Sequence, residues 1–307
     1  MSEIVLETSG LTKYFKDKCV VDHLDLKIPK GCVCGFLGRN GAGKTTTIRM
    51  LMGLLKPTTG NCSLLGCDCQ DLTPAIRQRV GYVTEGHRLY KWMKIGELEK
   101  FQRAFFPNQW DEKLFNDMIE YFELSKTQKI KHLSNGQRAQ VSLALTLAPN
   151  PELLIMDDPT LGLDVAIRRE FLEGVIHLIT RQGRTILFSS HILADVERVA
   201  DRIVVIGKGI LKADCTLEKF RSTIRKYIIT FDTNIPTEIN IEGLLHCRSD
   251  GNLLEVTVVN TSENAIQDWA NAGGAKDCKK AALNLEDQFI EFTSPVKKGK
   301  LFDWEYK

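Results

Sequence analysis

The chain lacks any run approaching the ~20 apolar residues needed to cross a bilayer. Service to a membrane would therefore pass through a separate chain. It also lacks a surplus of one charge. With 41 Lys and Arg against 39 Asp and Glu the formal net charge is +2, which gives no bulk electrostatic case for nucleic acid or an acidic membrane surface. The opening Met1-Ser2-Glu3-Ile4 has no basic stretch leading into an apolar one, so no secretory signal is expected. Nine cysteines are present, but Cys32/Cys34 and Cys67/Cys69 are C-x-C pairs, and no C-x-x-C pair faces a second pair. That spacing favours reduced thiols used as small apolar side chains over a metal or redox site. No internal repeat or low-complexity segment is found. What remains is an ordinary globular composition over 307 residues, room for one large domain and a small one.

Short β-rich segments come first: Ile4–Glu7, Cys19–Val21 and Leu24–Ile28. Cys32–Leu37 reads as a buried strand running into a glycine-rich loop. Ile48, Leu51, Met52 and Leu55 then give a helix one apolar face, and Lys56-Pro57-Thr58-Thr59-Gly60 stops it. From about Arg88 to Lys131 the periodicity is helical, and the aromatic series through Trp92, Phe101, Phe105, Phe106, Phe115 and Phe122 is expected to pack between helices, part of it serving as a docking surface in the second reading. Apolar strands at Leu153–Met156, Thr185–Phe188 and Ile203–Ile206 alternate with helices at Ala166–Thr180 and Ile192–Ala200, the pattern of a largely parallel sheet covered on both faces. Beyond Arg225 the strands Tyr227–Phe231 and Leu253–Val259, a helix at Ser262–Ala272 and an amphipathic Leu283–Phe292 suggest a small α+β domain.

Gly38-Arg39-Asn40-Gly41-Ala42-Gly43-Lys44-Thr45 fits G-x-x-x-x-G-K-[ST] between a strand and a helix. Glycines let the backbone wrap a phosphate chain, and the N–H groups of Gly41 to Thr45 are expected to point inward. The helix N-terminus adds positive potential. Lys44 would neutralise the β- and γ-phosphates and the Thr45 hydroxyl would ligate Mg²⁺. Gly38, Asn40, Gly41, Ala42, Gly43, Lys44, Thr45 and Thr46 are the candidate phosphate-binding residues. Leu153–Met156 ends in Asp157-Asp158. A parallel strand delivers its last residues to the ligand crevice, so Asp157 is placed to hold Mg²⁺ and Asp158 to orient or deprotonate an attacking water. These two motifs alone indicate a P-loop nucleotide hydrolase.

Leu133-Ser134-Asn135-Gly136-Gln137, just upstream, closely resembles the L-S-G-G-Q signature of ABC (ATP-binding cassette) proteins. Leu161-Gly162-Leu163-Asp164 is similar to that family's D-loop, and Ser189-Ser190-His191 to its switch-histidine segment. Gly81–Tyr90 and Leu285–Ile290 resemble stretches of bacterial exporter cassettes. The resemblance covers about residues 3–220. It implies ATP and Mg²⁺ as ligands, with Phe15 stacking on adenine (Tyr14 being the neighbouring candidate). Ser134, Gly136, Gln137 and Asp164 would engage nucleotide held by the opposite subunit, and His191 the γ-phosphate. The implied fold is α/β: a P-loop cassette with antiparallel-β and helical subdomains over 1–224 (the helical part about 88–150), a small α+β domain over 225–296, and a tail, 297–307. The implied function is the ATP-hydrolysing subunit of a transporter, an exporter by preference. It would act as a homodimer or heterodimer with separate transmembrane permease chains docked near 88–132, peripheral on the cytoplasmic face of the membrane.

Three positions depart from the family pattern. Glu85 stands where a Gln would ligate Mg²⁺ and water, Asp158 where the catalytic Glu would be, and Asn135 replaces the first signature glycine. Asp is one methylene shorter than Glu, so slow turnover is expected. Asn135 is expected to tolerate an unusual φ. Two alternatives stand beside transport. One is a nucleotide sensor with little turnover. The other is a non-transport ABC ATPase acting on ribosomes or nucleic acid, which the missing tandem cassette, coiled-coil insertion and basic excess disfavour.

Overall fold

The computed structural model describes residues 3–180, 183–232, 235–236 and 238–293. The chain divides into two compact units, Met1–Cys215 and Thr216–Lys307.

The first unit opens with a hairpin, β1 (Ile4–Phe15) and β2 (Lys18–Pro29), followed by β3 (Val33–Leu37), α1 (Lys44–Leu51), β4 (Thr59–Leu64), β5 (Cys67–Asp68), α2 (Pro74–Gln78) and β6 (Val80–Val83). Three helices follow, α3 (Ile95–Arg103), α4 (Glu112–Tyr121) and α5 (Asn135–Leu147). The unit finishes with β7 (Leu153–Met156), α6 (Val165–Thr180), β8 (Thr185–Ser190), α7 (Leu193–Val199), β9 (Arg202–Gly207) and β10 (Ile210–Thr216). β2-β1-β4-β5 form an antiparallel sheet. The second sheet runs β10-β9-β3-β8-β7-β6, with β9, β3, β8, β7 and β6 parallel. β3, β7 and β8 are buried along their whole length, as strands covered on both faces must be. One apolar core joins the two sheets through Ile48, Met50 and Leu51 of α1, and Cys34, Cys62 and Cys69 lie within it.

β4 begins at Thr59-Gly60, the last two residues of the stretch expected to stop the helix, and continues through residues for which no strand was expected. Its Thr-Gly-Asn start carries turn residues, and pairing with β1 overrides that local preference. The aromatic series of the helical region divides. Phe115, with Leu98, Met118 and Ile119, is buried, but Trp92 is 71% exposed, and Phe101 and Phe105 also face outward. Helix packing therefore accounts for only part of that series.

The second unit contains α8 (Leu217–Thr223), β11 (Ile224–Phe231), β12 (Leu244–Asp250), β13 (Leu253–Val259), α9 (Glu263–Ala272), β14 (Ala275–Ala281) and α10 (Leu285–Thr293). Its sheet, β12-β13-β11-β14, is antiparallel. Tyr227, Ile229, Phe231, Leu254, Val256 and Val258 share a core with Ile266 and Ala270 of α9. Phe220 of α8 stacks edge-on against Phe292 of α10, and Gln288 Nε2 donates to the carbonyls of Arg221 and Ile224. These contacts place α8 in the second unit, so the division falls ahead of the expected residue 224. Residues 297–307 lie outside the described residues.

Phe36 of β3 is fully buried at the centre of the first unit's core. Phe36→Ala should destabilise that unit by about 3–5 kcal/mol, read as a shift of its urea midpoint. A loss under ~1 kcal/mol would show that the core is less tightly packed than described.

Candidate functional site

Four neighbouring parallel strands, β3, β8, β7 and β6, end on one edge of the sheet. The loop after β3 carries the glycine-rich motif, and β7 leads into Asp157 and Asp158. β8 leads into His191, and β6 into Glu85. Chain topology therefore collects residues from four distant segments into one crevice.

Gly43 caps α1 at φ 107, and a Cβ there would meet the Val20 carbonyl at 2.7 Å. Only glycine suits both the conformation and the close approach. Gly41 has φ 80 and open space where a Cβ would stand. α1 has no side-chain cap and no acidic residue in its first turn. Its first N–H groups, which no helix can satisfy internally, thus form a site for an anion. Ala42 is different: its N–H donates to the Arg39 carbonyl at 3.0 Å, so it holds the loop's own turn and does not face a ligand as expected. Lys44 is buried and donates from Nζ to the Gly38 carbonyl at 2.7 Å. Burial pushes the Lys44 pKa down, and the carboxylates of Asp158, Asp157 and Glu85 pull it back up.

Ser189 organises the acidic end of β7. Its hydroxyl donates to Asp157 Oδ1 at 2.9 Å and accepts from the Asp158 N–H at 2.8 Å. Thr45 Oγ1 also donates to Asp157 Oδ1, at 3.1 Å. Burial raises the Asp157 pKa, these two hydroxyls lower it, and the neighbouring charges of Glu85 and Asp158 raise it again. Asp158 has φ 45, and its Oδ2 lies 2.7 Å from His191 Nδ1. Its Oδ1 is buried with no hydrogen-bond partner. A buried acceptor of this kind calls for a donor such as water. The oxygen donors of Thr45, Asp157 and Glu85 are hard, all-oxygen ligands of the kind Mg²⁺ takes, and a divalent cation would relieve the like-charge contacts.

A cleft of about 270 Å³ is lined by Val20, Asn40, Gly41, Gly43, Lys44, Thr45, Thr46, Glu85 and Asp158. Phe15 sits at the end of the β1–β2 hairpin whose Val20 lines this cleft. Phe15 is 47% exposed, with Lys13 Nζ 5.4 Å from its ring centroid, and Tyr14 is exposed beside it.

Ser134 caps α5, accepting from the Gln137 N–H at 3.1 Å while Gln137 Oε1 accepts from the Ser134 N–H at 3.0 Å. Asn135 is the first residue of that helix and has no positive φ, so the tolerance expected of it is not called upon; its side-chain oxygen accepts from Arg138. Gly136 packs against Ile167, where a Cβ would come within 2.7 Å of Cδ1. Asp164 caps α6 through the Ile167 N–H. Among the described residues, none from 133–138 or 161–164 lines the cleft. The glycine loop and the signature segment therefore do not meet within one chain.

Ser189 and His87 lie within recognisable stretches of the sequence, but neither carries a role of its own there. A serine closing an apolar strand was the available signal for Ser189. His87 offered none, since its partner lies 72 positions away.

The raised Asp157 pKa has a consequence for stability. The folded chain holds that proton more tightly than the unfolded one, so the contribution is present below the ordinary carboxylate range and is lost as pH rises through the raised value. Asp157→Asn keeps an Oδ1 acceptor for Thr45 and Ser189 while removing the buried charge. Without nucleotide or Mg²⁺ its Tm at pH 7.5 should equal or exceed wild type, with the difference shrinking at pH 4. Calorimetry showing a lower Tm at pH 7.5 would contradict this.

The sequence model of the family described as "ABC transporter" matches residues 21–161. The chain is 32% identical over 302 residues to the "Uncharacterized ABC transporter ATP-binding protein YdbJ" of Bacillus subtilis (strain 168), covering 96% of this chain and 97% of that protein. It is 35% identical over 209 residues to the "Nod factor export ATP-binding protein I" of Cupriavidus metallidurans, covering 67% and 69% respectively. A solved structure titled "Structure of ATP binding subunit of ABC transporter" superposes with a TM-score of 0.64 at 28% identity, covering 71% of this chain and 92% of that one. Identity at this level across nearly the full length of a relative, on the same fold, means that the chain belongs to the ATP-binding proteins of the ABC transporter family.

Proposed function

We propose that this chain binds ATP in the cleft at the edge of the parallel sheet and hydrolyses it to power an exporter, closing with a second cassette over the nucleotide. One observation carries the reading: Lys44, Thr45 and Asp158 line one cleft with the glycine loop, while Asp157 is bonded to Thr45 and His191 to Asp158 behind it. Phe15 stacks on adenine. The N–H groups opening α1 take the phosphates, and Lys44 exchanges its bond to the Gly38 carbonyl for the β- and γ-phosphate oxygens. Thr45, Asp157 and Glu85 hold Mg²⁺, which when bound neutralises charge on the phosphates.

The Oδ1 atom of Asp158 is the acceptor that orients the attacking water and takes its proton, while His191 fixes Oδ2. Water oxygen bonds to the γ-phosphorus, and the bond to the β-phosphate oxygen breaks, releasing ADP and phosphate. Phosphoryl transfer depends mainly on such positioning. An Asp in place of a Glu sets the carboxylate back from the water, and a displacement of ~1 Å costs about a hundredfold, so turnover is slow.

Ser134, Gly136, Gln137 and Asp164 lie off the cleft of their own chain, which supports a partner cassette, identical or related, supplying them from across an interface. Among the described residues no helix is long and apolar enough to cross a membrane, so separate permease chains carry the pathway. Tyr90, Trp92, Phe101 and Phe105 suit their docking. They form an exposed cluster in which the Tyr90 ring centroid lies 6.2 Å from Trp92 and 5.8 Å from Phe101, and Phe101 lies 5.3 Å from Phe105, the kind of surface that marks a partner site. On this reading the chain works peripherally, on the cytoplasmic face of the membrane. Similarity to the Nod factor export protein of Cupriavidus metallidurans supports export.

Steady-state ATP hydrolysis tests the assignment. Asp158→Asn should lower kcat at least ~100-fold with little change in ATP affinity, and Asp158→Glu should raise kcat above wild type. Absence of turnover by the wild-type chain together with its membrane subunits would contradict the reading in favour of a nucleotide sensor.

A further inference from the structure

His87 is buried, only 4% exposed, yet the phosphate chemistry described above does not use it. It lies two residues after Glu85 in the turn that follows β6, where its N–H donates to the Thr84 carbonyl. Its Nε2 sits 2.9 Å from the Pro159 carbonyl oxygen. A carbonyl only accepts, so Nε2 carries the proton. Nδ1 is buried with no hydrogen-bond partner among the described residues. The neutral Nε2–H form is therefore the one held in place, with its ring against Phe171 at a centroid distance of 6.3 Å.

Pro159 follows Asp158 directly. The segment 157–160 is pinned at four places. The Asp157 N–H bonds to the Val83 carbonyl, and the Asp158 N–H to Ser189 Oγ. The Pro159 carbonyl bonds to His87, and Thr160 Oγ1 donates to Asp195 Oδ2 at 2.7 Å. Of these, only the His87 bond comes from the turn that carries Glu85. Asp158 itself sits at φ 45, outside the conformations a non-glycine residue prefers. Such a turn persists only where its surroundings over-determine it.

We propose that His87 is a positioning residue that ties the Glu85 turn to the Asp158 turn, so that the two carboxylates reach nucleotide in register and move together. The proposal rests on the hydrolytic reading above and adds a coupling between its two acidic arms. A displacement of the helical region beside Glu85 would be carried to the Asp158 turn through this hydrogen bond, in addition to the β6–β7 pairing that ends at Val83 and Asp157.

Two variants of the full-length chain isolate the bond. His87→Leu fills similar volume without a donor, and His87→Gln keeps a donor at the reach of Nε2. Both place a β-carbon-bearing residue at φ 45, so they share the backbone cost. Two readouts are taken: ATP hydrolysis with Mg²⁺, and amide hydrogen exchange across 157–161 without nucleotide. His87→Leu should lower kcat about tenfold, with KM for ATP within about twofold of wild type, and should speed exchange. His87→Gln should restore most of both. Equal losses in the two variants, or wild-type kcat and exchange in His87→Leu, would overturn the proposal. So would a loss of ATP binding in parallel with kcat. If wild type itself fails to hydrolyse ATP, the functional reading falls and exchange alone decides for His87. Faster exchange in His87→Leu than in His87→Gln supports the link, and equal exchange refutes it.

Discussion

Three carboxylates and one lysine are held together where β3, β8, β7 and β6 end; Lys44, Asp157 and Asp158 are buried there and Glu85 is exposed. Like charges ~4 Å apart repel by about 4 kcal/mol at the effective dielectric of a protein. That exceeds the roughly 1.5–3 kcal/mol contributed by one hydrogen bond to a charged group. Thr45 and Ser189 donate to Asp157, and Lys44 offers a positive charge, but burial still weakens that lysine and raises the Asp157 pKa. The crevice is left with charges that its own residues do not fully balance. A divalent cation would offset part of that negative charge, while Lys44 and the α1 N-terminus offer positive potential to a polyphosphate.

The parallel sheet makes the arrangement possible. Its strands must be apolar along their length to be covered on both faces, so polar residues can enter only at strand ends. β7 and β8 lie side by side with Met156 opposite Phe188. Asp157, just past the end of β7, therefore lies beside Ser189 of β8, and one hydroxyl serves both the carboxylate of Asp157 and the backbone of Asp158. His191 then engages Asp158. The functional geometry is a consequence of register, with the apolar core beneath the crevice holding that register in place.

Local chemistry was legible in the sequence wherever a motif fixes the backbone by itself. The glycine loop is the clearest case, because Gly43 needs both a positive φ and the absence of a Cβ. The Asp pair ending an apolar strand was equally readable. What escaped depends on distant pairing. Ser189 and His87 acquire their roles from partners on other strands and loops. β14, with Lys276, Asp277, Lys279 and Lys280, carries the charges of an edge strand and little of the alternation that would announce it. The aromatic series from Trp92 to Phe122 has a helical period throughout, but period alone does not say which faces are covered, and several of its rings stand in solvent.

The central claim is that one chain holds only half of a nucleotide site, because the signature segment lies off the cleft formed by the glycine loop and the acidic strand ends. Sedimentation of the Asp158→Asn chain with and without saturating Mg²⁺ and ATP tests it most directly. The account predicts a monomer without nucleotide and a dimer with two ATP bound, reversed by Ser134→Arg at the signature helix. A chain that binds ATP fully yet stays monomeric, or a dimer indifferent to both nucleotide and Ser134, would contradict it.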